Sequence, residues 1–168
     1  AYFYGKSGAL CECYHSLGWS ATLQDAKTIA DGLLLAGIRY LVPHGFFYST
    51  HALRKHDAPP SFFWQMPYWP FFGELSRRID RIFEHFEGTW IAAEVLLVDP
   101  ASGVPSAADR AVYRRIHETL MARHVEYLVV DTDILQSGTI RNGRVRIRDI
   151  AARVVILPPM QDVEEPLD

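Results

Sequence analysis

The chain has 168 residues, 49% hydrophobic and 22% charged, which is enough apolar material for a packed core and argues against disorder. Its formal net charge is -3 and its pI about 6.2, with no long basic run, which argues against a nucleic-acid surface. No apolar stretch approaches the ~20 residues of a membrane span, so no membrane partner is expected.

The N-terminus, Ala1-Tyr2-Phe3-Tyr4, has neither the basic start nor the apolar core of a signal peptide. It does not begin with Met, so the chain reads as an excised piece and its compartment stays open, with the cytoplasm as the default. After the turn Gly5-Lys6-Ser7-Gly8 comes a short apolar run ending in polar groups, Ala9-Leu10-Cys11-Glu12-Cys13-Tyr14-His15. Gly18-Trp19-Ser20 leads to Thr22, an expected N-cap with Asp25 three residues on. Ala26, Ile29, Ala30, Leu33 and Leu34 recur at helical spacing, and Gly37 fits the helix stop, so a helix is expected over 22–36. Ile38 to Val42 reads as a strand covered on both faces, ending at Pro43-His44.

Strand, helix, strand, with polar groups at each strand end, is the pattern from which parallel α/β structures build active sites. Glu12 is then a candidate nucleophile or general base. Its bland alternative is a strand-end carboxylate in a salt bridge. By alternation Cys11, Cys13 and His15 share one face, while Glu12 and Tyr14 share the other. The first set forms a possible zinc edge, but zinc needs three or four ligands from separated segments and no other cysteine exists. Buried packing is the better reading, and no metal or other cofactor is expected. Cysteines two apart on a strand do not staple a fold.

Residues 45–70 form a long segment rich in Tyr, His, Pro, Phe and Trp, and such segments in compact domains tend to be functional. His44 could bond a sugar hydroxyl or a backbone group. Trp64, Tyr68 and Trp69 could stack on sugar rings or cover the sheet rim. A helix is expected from about Phe71, with Phe72, Leu75, Ile79, Ile82, Phe83 and Phe86 buried and Arg77, Arg78, Asp80 and Arg81 exposed.

A second part begins after Glu87-Gly88-Thr89. Ala92 to Val98 reads as a strand, about 107–123 as a helix, Val125 to Val130 as a strand, and Asn142-Gly143 as a hairpin turn. Val154 to Leu157 reads as a third core strand stopped by Pro158-Pro159. Together they suggest a small three-layer α/β unit with a frayed or linking acidic tail from Asp162. Asp131 and Asp133 read as turn or cap residues. No phosphate-binding glycine motif occurs.

Gly5-Lys6, Ala9 to Tyr14, Gly18-Trp19, Pro43-His44-Gly45-Phe46-Phe47-Tyr48-Ser49, Pro59-Pro60-Ser61 and Gln65-Met66-Pro67-Tyr68-Trp69 together resemble the late barrel strands of a glycoside hydrolase. The likeness is to bacterial family 106 α-L-rhamnosidases, and the layout also resembles family 42 β-galactosidases. In the latter a (β/α)8 barrel precedes a glutamine-amidotransferase-like domain, whose strands Leu96-Leu97-Val98-Asp99-Pro100 and Val155-Ile156-Leu157-Pro158-Pro159 resemble. The resemblance implies that residues 1–88 are the last β/α units of the barrel and 89–168 an amidotransferase-like α/β domain. It implies a carbohydrate substrate, Glu12 as the strand-seven nucleophile or base, and Tyr14, Trp19, His44, Trp64 and Trp69 as substrate-binding candidates. The partner carboxylate would lie on an upstream strand outside this chain, so the chain alone is expected to be inactive. Glycoside hydrolysis needs two carboxylates, roughly 5 Å apart for retention and 6.5–9.5 Å for inversion. Amidotransfer is excluded in the second part, because its cysteine nucleophile has no counterpart after Cys13. A non-catalytic carbohydrate-binding or assembly module of the same fold is the rival reading. Residues 1–88 alone would leave sheet edges uncovered, to be closed by the second part, another copy of the chain, or further residues.

Overall fold

Thr22 starts the first helix as its side chains dictate. Its hydroxyl accepts from the Asp25 N–H while the Asp25 carboxylate accepts from the Thr22 N–H, a reciprocal cap. In the computed structural model, which describes residues 1–89, 91–100 and 105–160, this cap opens α1 (Leu23–Leu35) between two parallel strands, β1 (Ala9–Cys13) and β2 (Ile38–Pro43). The chain is mixed α/β with small sheets and divides into two compact units, residues 1–89 and 90–168.

In the first unit β1 and β2 pair in the register Leu10↔Tyr40, Cys11↔Leu41, Glu12↔Val42. Cys13 is buried and Cys11 packs against the core, whereas Leu10 is exposed. Tyr40 and Val42 are exposed as well, so the second strand is open on one face and not covered on both. The core gathers Cys13, Tyr14, Ala26, Phe62 and Leu75, with Ile29, Leu33, Leu41 and Phe72 packed against it. α2 (Phe72–Phe86) follows a 3-10 turn at Trp69–Phe71. Arg78 differs from its expected exposure. It forms a two-point ion pair with Asp31 of α1, which also accepts from Lys27 at 2.8 Å. Burial alone would raise the Asp31 carboxyl, but the bonds from Lys27 and Arg78 outweigh it and hold the group below the usual carboxylate range.

The strand expected to reach His15 stops at Cys13, because Tyr14 and Ser16 both adopt left-handed backbone, with φ of 73° and 59°. That twist breaks the alternation. Tyr14 turns inward beside Cys13, with its ring centroid 4.9 Å from Phe62, instead of sharing an outer face with Glu12.

Gly8 marks a close approach of backbone to side chain. A Cβ there would lie 2.5 Å from the Arg39 Cβ and 2.7 Å from its Cγ. Arg39 has little room to yield, since its guanidinium donates to the Leu34 carbonyl and lies 5.3 Å from the centre of the Phe86 ring. Gly8→Ala should therefore cost roughly 1–3 kcal/mol, the usual penalty of overpacking. The urea midpoint measures it, and an unchanged midpoint would show that the strand entry can shift freely.

In the second unit β3 (Val95–Val98) is central, with Leu96, Leu97 and Val98 carrying no exposed surface. It pairs in parallel with β4 (Tyr127–Val130) on one side, and α3 (Ala107–Ala122) lies between the two in sequence. Ser106 and Asp109 cap α3 reciprocally. Asp131 caps the short α4 (Thr132–Gln136) by accepting from the Ile134 N–H, the cap role expected of it. The hairpin pairs β5 (Thr139–Arg141) with β6 (Arg144–Ile147), and Asn142 and Gly143 both have positive φ, as the two-residue turn requires. It does not join the core sheet. With β7 (Ile150–Ala152) it makes a separate antiparallel sheet, while β8 (Val154–Ile156) pairs in parallel with the other edge of β3. The resulting order β4-β3-β8, second-first-third among the core strands, is the order in which doubly wound sheets of the 2-1-3 kind begin. The tail from Asp162 lies outside the described residues.

His117 of α3 meets the Tyr127 hydroxyl at 2.6 Å through Nδ1, with the Tyr113 ring 4.5 Å away. Burial lowers its pKa, and Asp99 opposes the shift. An unfolded histidine takes up its proton near pH ~6.5 and the folded one only below that, so between the two values the unfolded chain holds more protons. The stability from keeping His117 neutral is complete above ~6.5 and is lost as pH falls from there through the folded value. His117→Asn should flatten this part of a melting-temperature profile. Asp109, held below the usual carboxylate range by bonds from Ser106, acts only at lower pH. A variant with an unaltered profile between pH ~7.5 and ~5 would exclude His117 as the source.

Candidate active site

Parallel pairing puts the C-terminal ends of β1 and β2 side by side, and the His44 N–H donates to the Cys13 carbonyl at 2.8 Å just past both. This fixes Glu12 next to His44. Glu12 Oε1 lies 3.2 Å from His44 Nδ1, with the Glu12 side chain 61% exposed and that of His44 27% exposed. The His15 ring lies 4.7 Å from the His44 ring and that of Phe47 6.0 Å away in a T-shaped contact. Trp19 meets Phe47 at 6.2 Å and donates its indole N–H to the Lys55 carbonyl at 2.7 Å. Glu12 and His44 are thus in direct contact, with Trp19 joined to them through Phe47.

The other candidates lie elsewhere. Tyr14 is in the core, and burial foremost, then Cys13, pushes its hydroxyl pKa far up. Trp69 belongs to an aromatic cluster, stacked on Phe72 at 6.0 Å and meeting Phe63 at 5.0 Å and Phe46 at 6.1 Å. Trp64 is 61% exposed. Burial foremost, with Cys11 adding, pushes the Cys13 thiol up to about 11, so it is a protonated packing group and not a nucleophile. His15 packs against His44 in a tilted ring contact rather than joining the cysteines. Among the described residues no group of three or more His, Cys, Asp or Glu could hold a metal ion. A shallow depression lined by Leu17, Ala21, Asp25 and Ile29 includes none of the candidate residues.

A buried clasp holds the loop beneath the pair. The Ser61 hydroxyl, fully buried, accepts from the Phe47 N–H at 3.0 Å and donates to Gln65 Oε1 at 2.8 Å. The Gln65 amide returns to the Phe47 carbonyl at 2.5 Å, and the Phe62 N–H donates to the Gly45 carbonyl at 2.8 Å. Every polar atom of the clasp is satisfied, which makes such a network specify one loop conformation. Phe47, Ser61 and Gln65 stand in the motifs that carry the resemblance, but their joining into a clasp is not legible in the sequence. A Ser followed four residues later by Gln has no local signature, since their common target lies 14 and 18 residues upstream.

Chemically the arrangement offers an exposed carboxylate, an imidazole nitrogen 3.2 Å from it, and an aromatic border, which suits an acid–base or nucleophilic role. No family model, curated protein or solved structure gives a significant match to this chain.

Proposed function

We propose that this chain is part of a glycoside hydrolase in which Glu12 is the nucleophile or general base. The observation carrying this reading is the exposed Glu12 carboxylate at the C-terminal end of a parallel strand, beside His44 at the end of the next. Strand ends of this kind are where α/β barrels assemble catalytic groups. The open face bearing Leu10, Glu12, Tyr40 and Val42 is consistent with a barrel interior whose remaining strands come from outside this chain. On this reading the first unit supplies the last two β/α units of a (β/α)8 barrel, and the 2-1-3 sheet of the second begins an amidotransferase-like domain. Trp19, joined to the pair through Phe47, is the candidate sugar-binding aromatic beside Glu12, while Trp64 and Trp69 would have to act at a separate sugar position.

The test is hydrolysis of a panel of aryl glycosides by the full protein carrying this chain, compared with its Glu12→Gln variant. Loss of turnover with the fold intact supports the reading, and near-normal turnover overturns it. A second reading, a non-catalytic carbohydrate-binding module, is favoured by the exposure of Tyr48 (90%) and Trp64 (61%). It predicts that Trp64→Ala abolishes sugar binding while Glu12→Gln leaves it intact.

A further inference from the structure

Of the two side chains that meet at the strand ends, one faces solvent and the other is largely covered. The Glu12 side chain is 61% exposed, whereas His44 is 27% exposed and its Nε2 is buried with no hydrogen-bond partner among the described residues. His44 has one polar contact through its ring, from Nδ1 to Glu12 Oε1 at 3.2 Å. Its ring is also held in place, with His15 at 4.7 Å, Phe47 at 6.0 Å, and the backbone fixed by the bond to the Cys13 carbonyl.

We propose that His44 is a positioning residue for Glu12: its Nδ1 stands 3.2 Å from one carboxylate oxygen, and a small turn of the exposed Glu12 side chain closes that contact into an Nδ1–H hydrogen bond while the other oxygen stays free at the solvent side. A carboxylate accepts only, so the bond requires the proton on Nδ1. Nε2 is unsatisfied in either tautomer, as a donor without an acceptor or an acceptor without a donor, so that atom decides nothing. The contact with Glu12 alone therefore selects the neutral Nδ1–H tautomer. Burial decides the direction of support. In a base oriented by a carboxylate the outer imidazole nitrogen must reach the substrate, and here that nitrogen is enclosed. The reactive group is Glu12, and His44 holds it. His44 then serves the carboxylate instead of binding a sugar hydroxyl itself. The catalytic meaning of the pair rests on the hydrolase reading, but its geometry does not.

Two measurements test the proposal separately from that reading. The first is nitrogen-15 NMR of the 168-residue chain with labelled histidine at pH ~8.5, where an ordinary imidazole is neutral. The His44 signals are assigned by their loss in His44→Asn. A single Nδ1–H tautomer is expected, kept in Glu12→Gln, whose amide oxygen still accepts, and lost in Glu12→Ala. An Nε2–H tautomer in the unaltered chain, or an Nδ1–H signature that survives Glu12→Ala, would overturn the pair. The second uses the full protein and an aryl glycoside. His44→Ala should lower kcat roughly 10–100-fold with little change in KM, the worth of a hydrogen bond to a charged group. His44→Asn, whose amide N–H can replace Nδ1–H, should recover much of the loss. Unchanged kcat in His44→Ala overturns the positioning role. A full protein inactive on every glycoside overturns the hydrolase reading, and the pair is then judged by the tautomer alone.

Discussion

Glu12→Gln in the full protein is expected to leave the fold intact and to lower kcat by roughly 10²–10⁴-fold if Glu12 acts as a base. A larger loss is expected if it forms a covalent bond to the sugar, because an amide is a poor nucleophile. The substitution removes only the charge. Gln has the same length, and its carbonyl oxygen can still accept from His44 Nδ1. The site is 61% exposed, so the change in stability should be about 0.5 kcal/mol or less, as for other surface substitutions. The Glu12–His44 contact is too exposed on the Glu side to contribute much as an ion pair. Measuring melting temperature and kcat on the same sample separates the two effects. A variant with both values unchanged would leave Glu12 as a strand-end salt-bridge residue and favour the binding module.

Local signals were legible where one short segment determines its own conformation. Thr22 and Asp25 mark the start of α1 because their cap closes within three residues. Asn142-Gly143 marks the hairpin because that turn needs two residues tolerant of positive φ. Strand order at the site was legible as well, and it put Glu12 and His44 at the ends of neighbouring strands. Two other features depend on partners far along the chain. Arg78 was read as exposed because its partner, Asp31, lies 47 residues away. Tyr14 was read as facing out with Glu12 because nothing local announces that a Tyr will take φ of 73°. What holds it there is Phe62, brought in by the long loop. β7 went unread because Ile150-Ala151-Ala152 has no polar alternation and its turn, at Arg148 and Asp149, has no glycine. The open face of β1 and β2 was legible only as a question of what else might cover two strands.

Phe62→Ala is expected to cost about 3–5 kcal/mol, the usual range for truncating a fully buried Phe. Phe62 has no exposed surface, and its ring lies 4.9 Å from Tyr14, 5.7 Å from Phe72 and 6.0 Å from Tyr68. Removing it deprives three aromatic side chains of a shared neighbour, on the loop, on α2 and on the turn after β1. None of them can close the cavity without leaving its other contacts. Tyr14 should respond most, because its left-handed backbone is held in place by the packing of its ring. Its release loosens residues 14–16, which carry His15 away from His44 and free the carboxylate end of β1. Phe62→Leu fills most of the volume and should cost much less. Denaturant unfolding followed by near-ultraviolet dichroism would measure both. A loss under about 1 kcal/mol for Phe62→Ala would mean that the core is not built around this ring. If the loss is large but the His44 tautomer is unchanged in Phe62→Ala, the strand ends hold the pair without help from the core.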